Sequence, residues 1–158
     1  MTTSLVEPKP SVRAKEVRFP VAVEWLGGRR VAACVAGKPD VTVAPPVVFR
    51  GTDPTVWSPE DFFVASAASC LAVTFTGLAE RAGLALASLR VEGEGTVGGR
   101  DDGRYGFTAV ELRLRAVVSP AESELAYALA LKAEETCLVS ASFDLPVTVA
   151  IEVRTSGE

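Results

Sequence analysis

Eighteen consecutive residues, 62–79, carry no charged side chain, and Glu60, Asp61 and Glu80 bracket them. Ser58 is a good N-cap, Pro59 suits the first helical position, and Glu60 and Asp61 complement the helix dipole. Asp61, three residues after the cap, is a shorter version of the capping-box acid. Gly83 supplies a C-terminal stop. The pattern predicts a helix from Ser58 to about Arg81–Ala82, about 36 Å long at ~1.5 Å per residue. A helix apolar on every face must be covered on most sides. The run also reaches the lower edge of a membrane span. Ser66, Ser69, Thr74, Thr76 and Gly77 inside it, and half-buried patterns elsewhere, favour a buried central helix and no membrane.

The rest of the chain supplies the cover. Val17–Trp25 reads as a strand with Phe19, Val21 and Val23 on one face, Gly27-Gly28 as a turn, and 29–36 as the returning strand. A third strand is predicted at 41–44, ended by Pro45-Pro46, and a loop then runs through Arg50, Gly51 and Asp53. Residues 88–97 and 107–117 alternate around the turn signal at 98–103, as a hairpin with one face buried. Ser119-Pro120-Ala121-Glu122 opens a second helix to about Thr136, with Leu125, Ala128, Leu129 and Ala133 as its apolar stripe. A last strand spans 145–154. The expected class is α+β with a largely antiparallel sheet. Residues 1–16 read as a flexible arm without the apolar core of a secretory leader, and 17–158 as a single domain.

The composition narrows the chemistry. A net charge of −4 without basic runs argues against nucleic acid. There is no histidine, which removes Cys-His hydrolases and most zinc sites. The three cysteines lack Cys-x-x-Cys spacing, so neither a thioredoxin motif nor a zinc ribbon fits, and no metal or cofactor is expected. Free thiols in a reducing cytoplasm are the plain reading. Cys34 lies on a strand and reads as core or pocket lining. Cys137 ends the second helix. Cys70 sits deep in the long helix, beyond the first turn where the dipole could lower its pKa. The reagents left are Cys70, Cys137, the arginines and one helix-start glutamate.

These residues have a familiar arrangement. Arg50, then Ser58-Pro59-Glu60-Asp61, then Ala67-Ala68-Ser69-Cys70 resemble the OsmC/Ohr family of thiol peroxidases, closer to its OsmC branch. Arg50 precedes Cys70 by twenty residues and Glu60 precedes it by ten. Cys137-Leu138-Val139-Ser140 and Leu145-Pro146-Val147 match a second signature, with Leu138 where branch members have proline. Ohr-type members carry their arginine nearer the N-terminus, where Arg29 and Arg30 follow Gly27-Gly28; Arg50 ranks first and Arg29 second.

The resemblance implies an OsmC-like fold in an intertwined homodimer. It further implies reduction of organic hydroperoxides in oxidative-stress defence. Arg50 would activate Cys70, Cys70 would become a sulfenic acid, and Cys137 would resolve it. A lipoyl or thioredoxin-like dithiol would complete the cycle. Ten helical residues span about 15 Å, so Glu60 cannot touch its own Cys70. It reaches the site across a loop, comes from a second subunit, or only complements the dipole. Phe49, Phe62, Phe63, Leu71 and Phe75 are either pocket lining or plain core. A redox-sensing stress protein, or a non-catalytic binder of apolar ligands on the same fold, are the alternative functions.

Overall fold

The computed structural model describes residues 16–156; apart from its last residue, the arm expected over 1–16 lies outside them. Strands β1 (Ala22–Gly27), β2 (Arg30–Cys34) and β3 (Val41–Val43) form one antiparallel sheet in that order. Helix α1 (Pro59–Ala82) follows, then β4 (Ser88–Gly99), β5 (Tyr105–Val118), α2 (Ser123–Thr136) and β6 (Val147–Thr155). The second sheet has the order β4-β5-β6.

Helix α1 has the bounds its local signals predict. Asp61 N–H donates to Ser58 Oγ (3.1 Å), and Ser58 N–H donates to Asp61 Oδ2 (2.8 Å), a reciprocal capping box that satisfies two otherwise orphaned amides. Gly83 closes the far end in the left-handed conformation. One stripe, Ala67-Leu71-Phe75-Ala79, is fully buried against β5 and α2 in the common core. Burying Leu71 and Phe75 contributes about 1.5–3 kcal/mol each. Gly93 and Gly95 let α1 lie close on β4: a Cβ at Gly93 would stand 2.8 Å from a Val64 methyl, and one at Gly95 would stand 2.6 Å from both Val64 and Phe107.

Three details depart from expectation. First, β6 pairs with β5 in parallel, the one parallel strand pair among the described residues in a largely antiparallel arrangement. The β5-α2-β6 connection is a helical crossover, and a crossover returns the chain in the same direction. Second, α2 begins at Ser123, after a short 3₁₀ turn at Pro120–Glu122. The Ser119 hydroxyl donates to the Glu122 carboxylate (2.6 Å) rather than capping an amide, and Glu122 also accepts from Ala85 N–H (3.1 Å). Third, the buried stripe of α2 is Ala126-Ala130-Ala133, with Leu129 partly buried beside it, while Leu125 and Ala128 face outward. Alanines permit the close approach of α2 to α1 that leucines would block, so small side chains, not large ones, mark this interface.

The first sheet stands apart from the core. None of its residues belongs to the main buried cluster. Its firm tie is a parallel bridge between Val43 and Trp57, with Ala44 N–H donating to Trp57 O (3.0 Å). Phe19 and Trp25 are 81% and 75% exposed, and Val21 and Val23 are exposed with them. On α1, Ser69, Val73 and Thr76 also face outward. One chain therefore leaves a strip of the uncharged helix, Ser69, Val73 and Thr76, uncovered.

Candidate functional site

The second helix delivers Cys137 to Cys70. The stripe Ala126-Ala130-Ala133 continues at helical spacing into Cys137, which is 2% exposed and belongs to the core. Cys70 and Thr74 lie one turn apart on α1, beside the buried line of Leu71 and Phe75. Cys137 leaves the helix in an extended conformation (ψ 108°), and the chain then winds into a 3₁₀ turn at Ser140–Ser142. Ala141 N–H donates to Cys137 O (3.0 Å) and closes that turn. The amides of Leu138 and Val139 are among the groups that lower the pKa of the Cys70 thiol. The Ser140 hydroxyl donates to Cys137 Sγ (3.2 Å).

Burial is the largest single influence on the Cys70 thiol and pushes its pKa up. Four donors outweigh it: the Val139 N–H, the Cys137 thiol, the Thr74 hydroxyl and the Leu138 N–H. The net result is a thiol below its ordinary value. Donors aimed at a thiolate favour the charged form as a nearby cation would. Neither Arg50 nor Arg29 is among these principal causes. Sequence reasoning missed Thr74 and the two amides. Every residue carries an amide, and only tertiary structure decides which point at a sulfur.

Cys34 lies in the opposite kind of environment. Burial raises its pKa, and a hydrogen bond with Asp40 and the negative charges of Asp40 and Glu24 raise it further. Of three unbridged thiols, one has its pKa lowered, a second is among the groups that lower it, and the third has its pKa raised.

The chain does not bring Arg50 or Glu60 to this pair. Glu60 sits in the first turn of α1 and lines an open cleft of about 900 Å³, with Phe49, Trp57, Val64, Gly95 and Phe107 among its walls. Glu60 Oε2 is buried without a hydrogen-bond partner, a costly state for a carboxylate oxygen. Arg50 occupies the loop after a 3₁₀ turn at Val47–Phe49, at φ 64°. Among the described residues its side chain makes no hydrogen bond or ion pair, whereas Arg29 Nη1 donates to the carbonyls of Phe49 (3.3 Å) and Arg50 (3.1 Å).

Of the five apolar candidates, Leu71 and Phe75 are plain core. Phe63 is stacked between Phe107 and Phe143, with centroids 4.2 and 4.3 Å away. Phe62 packs on Trp57, and Phe49 lines the cleft. Among the described residues no three acidic or cysteine side chains converge as metal ligands.

Comparison with known proteins agrees with this architecture. The family model described as OsmC-like protein matches residues 51–152, which include Glu60, Cys70 and Cys137 but neither Arg29 nor Arg50. No curated protein matches by sequence. An OsmC-like protein of unknown function from Vibrio cholerae superposes with a TM-score of 0.78 at 20% identity, over 86% of this chain and 99% of that one. An organic hydroperoxide resistance protein from Elizabethkingia anophelis gives 0.66 at 20% identity, over 90% and 100%. That of Bacillus subtilis gives 0.60 at 23%, over 86% and 98%.

Proposed function

The chain belongs to the OsmC-like family, and from that premise we propose that it is a thiol-dependent peroxidase of organic hydroperoxides whose site is completed by a second copy of itself. The observation that carries the reading is the Cys70–Cys137 pair: a half-buried thiol held below its ordinary pKa, with a second thiol, which can resolve it, among the groups that lower it. Organic hydroperoxide resistance proteins among the structural neighbours support a role in peroxide stress.

The chemistry balances with these groups. The Cys70 thiolate attacks the terminal oxygen of ROOH, the O–O bond breaks, and the alkoxide takes a proton and leaves as ROH. Cys70 is now a sulfenic acid. The Cys137 thiol gives up its proton and attacks that sulfur, the S–S bond forms, the S–O bond breaks, and the hydroxide leaves with that proton as water. An external dithiol, lipoyl or thioredoxin-like, exchanges with the disulfide and restores both thiols in the cytoplasm. The disulfide needs the two Cα atoms within roughly 4.4–6.8 Å, and the influence of the Cys137 thiol on the Cys70 thiol supports that proximity.

The second copy answers what one chain leaves open. Glu60 has a buried oxygen with no partner, and the Arg50 guanidinium is unengaged among the described residues. The outward face of α1 is uncharged and bare, with Val73 exposed on it, and the Phe19-Val21-Val23-Trp25 row is apolar and bare. In the proposed homodimer these surfaces cover one another. Glu60 orients Arg50, and that cation stands beside Cys70 of the partner subunit, adding to the amides and polarising the bound peroxide.

The test is consumption of tert-butyl hydroperoxide with dithiothreitol. Cys70→Ser should fall to the uncatalysed rate; a rate equal to the wild type rejects the reading. After one equivalent of peroxide, mass spectrometry should find a Cys70–Cys137 disulfide, and one containing Cys34 would contradict the pairing.

A further inference from the structure

Two consecutive arginines leave the β1–β2 turn, and both reach the loop that carries Arg50. Arg29 donates from Nη1 to two successive main-chain carbonyls, those of Phe49 and Arg50 itself. Arg30 pairs with Asp53 Oδ2 at 2.6 Å, and Asp53 Oδ1 accepts from Thr55 N–H (3.0 Å) and Oγ1 (2.5 Å). The loop is thus pinned on both sides of Gly51. Gly51 itself backs onto the Pro45 carbonyl so closely that a Cβ there would stand 1.8 Å from the oxygen.

Arg50 lies between the pins, and among the described residues it alone, of those other than glycine, has a positive φ. The left-handed region is unfavourable for a residue with a Cβ and persists only where surrounding contacts enforce it. The enforcing contacts can be named. Arg50 N–H donates to Val47 O (3.0 Å) and Gly51 N–H to Pro46 O (2.9 Å), and Arg29 takes the two carbonyls that bracket the Arg50 φ and ψ rotations. Arg29 makes no ion pair among the described residues. Its charge is directed at main-chain dipoles, and one nitrogen, Nη1, donates to both successive carbonyls and so ties the two peptide planes on either side of the Arg50 Cα together.

We propose that Arg29 is a positioning residue: it holds the backbone of Arg50 in the left-handed conformation and so sets the direction in which the Arg50 guanidinium leaves the loop. The inference rests on the reading of Arg50 as the cation beside Cys70. It also gives the two arginines of the sequence different tasks, one acting and one aiming.

The experiment measures the pH dependence of Cys70 alkylation and the rate of tert-butyl hydroperoxide reduction in the full-length protein, for the wild type, Arg50→Ala, Arg29→Met, Arg29→Lys and the double variant Arg29→Met/Arg50→Ala. Arg29→Met should shift the Cys70 profile in the same upward direction as Arg50→Ala. It should slow peroxide reduction about tenfold to a hundredfold, as misplacement of a catalytic group by about 1 Å does. Arg29→Lys should recover part of the loss, which also controls for failed folding of the Met variant. The double variant should be no worse than Arg50→Ala alone, since there is nothing left to aim. A wild-type profile for Arg29→Met beside a shifted one for Arg50→Ala overturns the inference and leaves the peroxidase reading intact. Effects that multiply in the double variant also overturn it, because Arg29 then acts on the thiol directly. An unshifted Arg50→Ala rejects the underlying role of Arg50.

Discussion

Cys34 and Cys70 have the same side chain and comparable exposure, yet their surroundings push them in opposite directions. Cys34 has the carboxylates of Asp40 and Glu24 near it; Cys70 has amides and hydroxyl and thiol donors. The thiolate is the reactive form, so alkylation of each cysteine followed against pH should separate them. Cys70 should inflect below an ordinary thiol and Cys34 above one; a shared inflection would contradict the assignment. The sign for stability follows from the same shift. A folded-state pKa below the unfolded one favours the thiolate, so Cys70 contributes stability above the unfolded thiol pKa and loses it as pH falls through the lowered folded value. Only part of this site was legible in the chain. Cys70 and Cys137 were nominated by a resemblance, 67 residues apart, and the fold joins them. The lowering groups were not legible, because a histidine-free sequence directs attention to arginines while the peptide amide is present at every position.

At the scale of elements, legibility followed locality. The bounds of α1 are written in adjacent residues, from the Ser58–Asp61 box to Gly83, and the structure reproduces them. Ser58→Ala should therefore cost about 1 kcal/mol, read as a lower denaturation midpoint with an unchanged slope. No loss would mean that packing alone sets the start of this helix. The direction of β6 was illegible because its alternating pattern is the same in parallel and antiparallel pairs. Only the crossover through α2 decides it. The phase of α2 was misread for a different reason. Hydrophobic periodicity weights leucine above alanine, but the face that meets α1 needs small side chains, and the stripe that ends in Cys137 is made of them.

For the whole molecule, the unfinished surface is the main fact. The central helix was expected to be covered on most sides, and one chain leaves the strip of Ser69, Val73 and Thr76 exposed. In the proposed homodimer, a charge on the bare row of the first sheet should prevent assembly. Trp25→Glu is expected to sediment as a monomer at concentrations where the wild type is a dimer, and to lose peroxidase activity while Cys70 and Cys137 still pair on oxidation. A wild type that sediments as a monomer would remove the dimer from the proposal. The absence of the first sheet from the main core has a kinetic corollary. The helix and second sheet share a core that one chain can build, so their formation is first order and indifferent to dilution. In the proposed homodimer the hairpin bearing Arg29 and Arg30 takes its apolar cover from the second copy, so its ordering would wait on an encounter and be second order. Dilute refolding would then halt at a species with a formed dithiol pair and no aimed arginine, and the lag before activity would shorten as protein is added.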